Sequence, residues 1–295
     1  MDFEVVCEAN DDRWLEERRK LLTASDVSAV LGINPWTSPL RLWQRKLGLA
    51  PPEQDSEQFT WAREAEPFVA QAYARRTGRP TQIAQQLLRS VRWPWLGATL
   101  DAWTVHPVHG SIPLEIKWTR SSKANEDWAE GVPELYAPQL ETQARVAGTE
   151  AASAAASIFG APIVWCDREN DRELWTRILD ATRDFVKRIE NEDPPKPQAG
   201  DGNAVRTLHP AETPGSATAL PIEAVEIHDR LVELKRQRSL VGDEIDLLSR
   251  ELELMIGDHE TGLLPGGGSY TWKTVSRAGY MVQPSRSRQL RYKKR

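Results

Sequence analysis

Apolar residues change their period several times along this 295-residue chain, and each change marks an element. A helical period covers 14–20. Thr23-Ala24-Ser25-Asp26 then offers capping side chains ahead of a short helix over 27–31, which Gly32 closes. Asn34 to Pro39 reads as a turn into a helix over 40–47, stopped by Gly48. A longer helix is predicted over 56–76; Pro67 opens a new first turn or kinks it, and Thr77-Gly78 ends it. Alternation then predicts strands over 86–90, 98–105 and 112–118. Pro133 introduces a helix over 134–147, two strands follow over 154–159 and 163–167, and a helix over 170–190 completes the unit. Helices around this strand order predict an α/β fold with a central mixed sheet flanked by helices.

Residues 193–221 hold six prolines and three glycines with no sustained apolar period, which predicts a linker or extended arm between a domain at 1–192 and a segment at 222–295. In that segment Ile227, Leu231, Leu234, Val241, Ile245, Leu248, Leu252 and Met255 step by four and three residues, interrupted at Arg238. This 3.5-residue repeat predicts one long helix with a narrow apolar seam, ended by Gly257 and packed within its own chain in preference to another subunit. Residues 269–275 and 279–282 read as a short hairpin.

Composition narrows the class. Hydrophobic content of 40% and charged content of 27% are those of a globular protein. No apolar run is long enough to span a membrane, and the acidic N-terminus is unlike a signal peptide. Cys7 and Cys166 are too few for a disulfide scaffold, a zinc knuckle or an iron–sulfur cluster, which points to the cytoplasm. Most of the 12 tryptophans occupy amphipathic positions that suit core packing. The net charge of −5 hides an asymmetry: 277–295 carry seven basic residues and no acidic ones, leaving −12 on the remainder. Arg286, Arg288 and Arg291 are therefore candidates for gripping a phosphate backbone; a solvated tail is the equal alternative.

The candidate chemistry centres on Leu114-Glu115-Ile116-Lys117, with Asp101 on the preceding strand. On an extended strand Glu115 and Lys117 share one face while Leu114 and Ile116 enter a core. Asp101 and Glu115 can then meet around a hard cation, with the Lys117 ammonium beside it to orient water or offset charge. This is the layout of the PD-(D/E)XK nuclease core. Glu66 on the upstream helix is a further candidate carboxylate. Gln139 and Gln143 lie one turn apart on the later helix, where an amide can hold a water or a phosphate oxygen. Arg18 with Ser25 at a helix start forms a candidate phosphate site, or an ordinary cap. No GxxxxGK[ST] sequence is present, so no P-loop for ATP is expected.

The order of these blocks adds a resemblance. Trp14 with Arg18, Thr23-Ala24-Ser25-Asp26-Val27, Leu31-Gly32, and Pro39-Leu40 with Leu42-Trp43, Lys46 and Gly48 are followed by Glu66-Pro67, Tyr73 and Thr77-Gly78. Ala98-Thr99-Leu100-Asp101, Leu114-Glu115-Ile116-Lys117, Trp128, Gly131-Val132-Pro133, Tyr136 and Gln139 complete the series. Together, over about 13–192, they resemble the YqaJ-type viral recombinase family, which includes the lambda-type exonucleases. Two positions depart from the pattern: Leu100 replaces the proline of the PD half-motif, and Ala102 stands where many relatives have glycine.

The resemblance implies Asp101, Glu115 and the Ile116 carbonyl as ligands of Mg²⁺, or Mn²⁺, with Glu66 a further metal-side carboxylate. It implies Lys117 as the catalytic lysine, Gln139 as an active-site amide, and Arg18 with Ser25 as the holders of a terminal 5′-phosphate. It further implies 5′→3′ resection of linear double-stranded DNA ends by a phage- or prophage-encoded enzyme in a bacterial host, an annealing partner, and a trimeric ring. Two other readings stay open: a Cas4- or RecB-type nuclease of different polarity or substrate, and a catalytically silent DNA-end-binding protein.

Overall fold

The computed structural model describes residues 2–8, 11–50, 57–119, 124–158, 162–276, 279 and 290–292. They divide into two compact units, Met1–Pro210 and Ala211–Arg295. In the first, β1 (Phe3–Glu8), α1 (Trp14–Lys20), β2 (Leu22–Thr23), a 3-10 turn (Ala24–Asp26), α2 (Val27–Val30), α3 (Pro39–Lys46) and α4 (Glu57–Thr77) precede β3 (Thr81–Ser90), β4 (Leu96–His106) and β5 (Gly110–Thr119). Then come α5 (Ala124–Asp127), α6 (Ala137–Ala147), β6 (Ala151–Ile158), β7 (Val164–Glu169), α7 (Arg172–Glu190) and α8 (Gly202–Leu208). The second unit holds α9 (Glu223–Ile256) and a hairpin of β8 (Thr261–Leu263) and β9 (Ser269–Thr271).

The sheet order is β1-β3-β4-β5-β6-β7, with β2 beside β4. All neighbours are antiparallel except β5–β6 and β2–β4. The parallel β5–β6 pair requires a crossover, and α6 supplies it. This is the mixed sheet flanked by helices that the strand order predicts. β6 is built from Ala151, Ala152, Ser153, Ala154, Ala155, Ala156 and Ser157, all buried. Such small side chains let helices approach closely on both faces: α4 brings Val69, Ala70 and Tyr73 to Ala155, and α6 brings Leu140 and Ala144 to Ala154 and Ala156. At Gly97 a Cβ would lie 2.8 Å from both Leu21 Cδ1 and Leu88 O, so only glycine lets β2 dock there.

Several expectations shift. β1, an edge strand with weak alternation, was not legible. Residues 134–136 form a turn and α6 starts at Ala137, with Pro138 in its first turn. Pro67 lies inside a continuous α4. The Pro/Gly-rich stretch is divided, because its first part folds onto the first unit. Asp201 is buried and accepts from Ser38 Oγ (2.7 Å) and Gln198 N (2.8 Å), while Gln44 Nε2 donates to Ala204 O (2.7 Å). The hairpin forms earlier than expected, around Gly267 and Gly268, whose φ of 96° and 86° make the turn; residues 280–282 lie outside the described residues. The long helix is present, and its seam, expected to pack within the chain, is exposed among the described residues: Ile227, Val241 and Met255 are 68%, 55% and 78% exposed.

Candidate active site

β4 and β5 pair in register from His106–Gly110 up to Ala102–Leu114, and there the ladder stops. One more step would set Asp101 opposite Glu115. Instead the strands part: β4 goes on pairing with β3, and β5 with β6. The Ile116 N–H freed by this divergence donates to Asp101 Oδ2 at 2.7 Å, so a side chain replaces the missing ladder partner. The notch between the strands is the candidate site.

Alternation along β5 sorts its side chains as the sequence predicts. Leu114 and Ile116 pack with Val69, Ala70 and Tyr73 of α4. Glu115 and Lys117 meet the amides of α6. Lys117 Nζ pairs with Glu115 Oε1, donates to Gln139 Oε1 at 3.2 Å, and lies 4.9 Å from the Tyr136 ring centroid. Gln143 Nε2 donates to Glu115 Oε2 and, at 3.2 Å, to Thr99 O. Gln143, expected to contact DNA, is instead 0% exposed, and its amide holds the Glu115 carboxylate. Its Oε1 and Thr99 Oγ1 are buried without a protein partner.

Glu66 comes to the notch from α4. Burial first, then the charge of Glu115, raises its pKa to about 7. Burial and the charges of Glu115 and Glu66 push Asp101 well above the usual carboxylate range. For Lys117, burial alone favours the neutral amine, but Glu115 and Asp101 outweigh it and its pKa is raised. These carboxyl groups therefore share a site short of positive charge. Gln85, which the sequence reading missed, hydrogen-bonds Glu66. It sits at an irregularity between Ile83 and Gln86 in the β3–β4 register, with φ of 46°, a left-handed conformation uncommon for a residue with a Cβ. A bulge of this kind re-aims one side chain and leaves no trace in an alternation pattern.

The donor set fits a hard divalent cation. The side chains that meet at the notch, Asp101, Glu115 and Glu66, offer carboxylate oxygens, the donor type that a hard divalent cation takes. Among the described residues no group of three or more His, Cys, Asp or Glu side chains is placed to hold a metal ion.

A second cluster gathers Arg18 and Ser25. Arg18 Nη2 donates to Ser25 Oγ at 3.2 Å and its guanidinium lies 5.8 Å from the Trp14 ring centroid. Thr23 Oγ1 is 3.0 Å from Ser25 Oγ and donates to Asp26 Oδ2 at 2.8 Å. Lys46 pairs with Asp26 Oδ2 at 2.7 Å and donates to the carbonyls of Arg18 (3.0 Å) and Leu21. Burial opposes the Asp26 charge, but Lys46 overcomes it and holds Asp26 below its ordinary pKa; burial also lowers Lys46 despite that partner. A cleft of about 540 Å³ is lined by Arg18, Arg19, Asp26, Arg45 and Lys46. Thr23 pairs with Gly97, four residues before Asp101 on β4, which sets the two clusters roughly 13 Å apart along one strand. Asp26 and Lys46 carry this cluster's charge alongside Arg18, a role their sequence positions did not announce. Arg291 lies in the second unit, and Arg286 and Arg288 lie outside the described residues.

A mixed sheet flanked by helices, its central strands parting around an aspartate, a glutamate and a lysine, is the arrangement expected from the PD-(D/E)XK-like motif. Residues 13–150 match the family model of the YqaJ-like viral recombinase domain, and the resemblance read from the motifs is borne out. The uncharacterized protein YqaJ of Bacillus subtilis (strain 168) is 33% identical over 181 residues, 60% of this chain and 56% of that protein. The chain thus spans little more than half the length of this curated relative. Among solved structures, an alkaline exonuclease from Laribacter hongkongensis is similar with a TM-score of 0.51 and 21% identity, covering 62% of this chain and 94% of that one. The same exonuclease in complex with dAMP gives a TM-score of 0.50 at 20% identity over the same shares. At these identities the likeness shows the fold. No helix among the described residues is long and apolar enough to cross a membrane.

Proposed function

We propose that this chain is a divalent-metal-dependent deoxyribonuclease that resects linear double-stranded DNA from its 5′ ends, with Mg²⁺ as the working ion. The observation that carries the reading is the notch itself, with Asp101 fixed by the Ile116 N–H and Lys117 held between Glu115 and Gln139. A silent binding module needs neither a buried lysine nor buried carboxyl groups at one point. Asp101, Glu115 and the Ile116 carbonyl would hold the cation, with Glu66 beside them. When bound, it polarises the scissile phosphate and lowers the pKa of a water. Gln143 keeps Glu115 in place, and Gln139 and Tyr136 orient the Lys117 ammonium. That ammonium positions the attacking water and offsets charge that develops on the phosphoryl oxygens.

Arg18, with Ser25, is the group proposed to receive a terminal 5′-phosphate, since a guanidinium forks onto phosphate oxygens. The product would be a 3′-terminated single strand suited to an annealing protein, and the family resemblance supports a phage recombination setting and a ring-shaped trimer.

The test uses linear duplex DNA labelled at either end, with and without a 5′-phosphate, incubated with Mg²⁺. Release from 5′ ends, faster when phosphorylated, is expected, and Arg18→Ala removes that preference. Release from 3′ ends, or cutting of circular DNA alone, overturns the polarity and favours a Cas4- or RecB-type reading.

A further inference from the structure

Among the described residues the seam on α9 is an exposed apolar face, with Leu234, Ile245 and Leu248 at 44%, 58% and 51% exposed; beside it His228 meets the Tyr292 ring at 4.4 Å. We propose that this face pairs with the same helix of a second copy of this chain, in antiparallel orientation. The inference is independent of the nuclease reading and concerns α9 alone: the pair would join two copies whether or not the nuclease units also assemble as the trimer proposed above.

The direction follows from charge. In heptad terms Leu231, Arg238 and Ile245 take the a positions and Leu234, Val241 and Leu248 the d positions. A parallel, in-register pair would stack Arg238 on Arg238 inside the seam. It would also set Arg230, at g, against Lys235, at e, of the other helix, and both contacts repel. Turning one helix round removes both. Leu231 then faces Leu248 of the second copy, Leu234 faces Ile245, and Arg238 faces Val241. In that layer the arginine stem lies along the valine and its guanidinium reaches water.

On the flank, g positions meet g positions, so Arg230 lies opposite Glu251 of the second copy and Gln237 opposite Glu244. The pair repeats by symmetry, giving two Arg–Glu contacts per dimer. The same register brings the helix ends level, Glu223 of one beside Ile256 of the other, and opposes the two macrodipoles. A Cβ at Gly242 would meet nothing within 4 Å among the described residues. In the antiparallel pair it faces the long stem of Lys235 of the second copy.

The test compares the full chain with Arg230→Glu and with the double variant Arg230→Glu/Glu251→Arg, by sedimentation over a range of concentrations. Circular dichroism checks that all three fold alike. The antiparallel pair predicts that the single variant, which turns two attractions into two repulsions, self-associates about tenfold more weakly, and that the double variant recovers. Both effects shrink at high salt. Two results would overturn the proposal. Tighter association of the single variant indicates a parallel pair. Identical masses for all three proteins at every concentration mean the seam is covered otherwise, within the chain or by a different protein.

Discussion

The backbone N–H of Ile116 donates to Asp101 Oδ2 at 2.7 Å, across the point where β4 and β5 stop pairing. This bond fixes one carboxylate oxygen, and in the proposed function the other would take a cation. Asp101→Asn keeps the shape and the accepting oxygen but removes the charge. The metal-free variant is expected to be at least as stable as the parent, because a buried carboxyl beside Glu115 and Glu66 is no longer at risk of ionising. Calorimetric titration with Mg²⁺ or Mn²⁺ should show binding to the parent and none to the variant. Equal binding by both removes Asp101 from the ligand set.

Gln143 is expected to act through Glu115. Gln143→Leu keeps most of the volume but frees the carboxylate, and groups that orient a metal ligand typically account for 10–100-fold in affinity or activity. Metal affinity should fall by about that factor. DNA affinity measured without metal should not change, because the side chain is buried. A selective loss of DNA binding would return Gln143 to the substrate-contacting role its sequence position suggested.

Glu66 gives the metal-free protein a pH dependence with a defined sign. Its pKa is about 7 in the fold against an ordinary carboxyl value of 4.5, so between these values the folded state binds the extra proton. Stability is then fully present below the unfolded pKa and declines as pH rises through about 7. Denaturant titrations of the metal-free protein should show this decline, shallower in Glu66→Gln. A bound cation requires the ionised carboxylates, so metal binding should release protons in the same window. A parent protein that gains stability from pH 5 to 7 without metal contradicts the assignment.

Much of this was legible in the chain, and the misses have a common cause. The Glu115–Lys117 alternation, the α6 amides and the heptad seam are periodic patterns, and period is what a sequence shows. Gln85 is visible only through a bulge that breaks the period. The Lys46–Asp26 pair joins residues 20 apart whose charges look like surface groups until α3 folds against the 3-10 turn. The fate of residues 193–210 turned on Asp201, one buried carboxylate that docks a proline-rich stretch otherwise indistinguishable from a linker. Gln143 was placed on the correct helix face, but burial decided what that face meets.

The Lys46–Asp26 pair makes a stability prediction. Both side chains are nearly buried, at 9% and 14% exposure, and removing one partner of a buried pair typically costs about 3–5 kcal/mol. Lys46→Met should therefore lower unfolding free energy by roughly that amount, while Lys46→Met/Asp26→Asn regains much of it. Because the Asp26 pKa is depressed in the fold, its contribution holds above the unfolded carboxyl value and fades as pH falls through the folded one. Chemical denaturation of the three proteins at neutral and acid pH checks both points.

In the proposed function Lys117, with Asp101 and Glu115, cleaves a phosphodiester. The direct measurement is the initial rate of nucleotide release from linear duplex DNA in Mg²⁺ by the parent and by Lys117→Ala, with DNA affinity measured alongside. Lys117→Ala is expected to lose roughly 10²–10³-fold in rate, the size expected when a charge-stabilising group is removed, with DNA affinity little changed. Equal rates for the two proteins, or no Mg²⁺-dependent release by the parent, would contradict it.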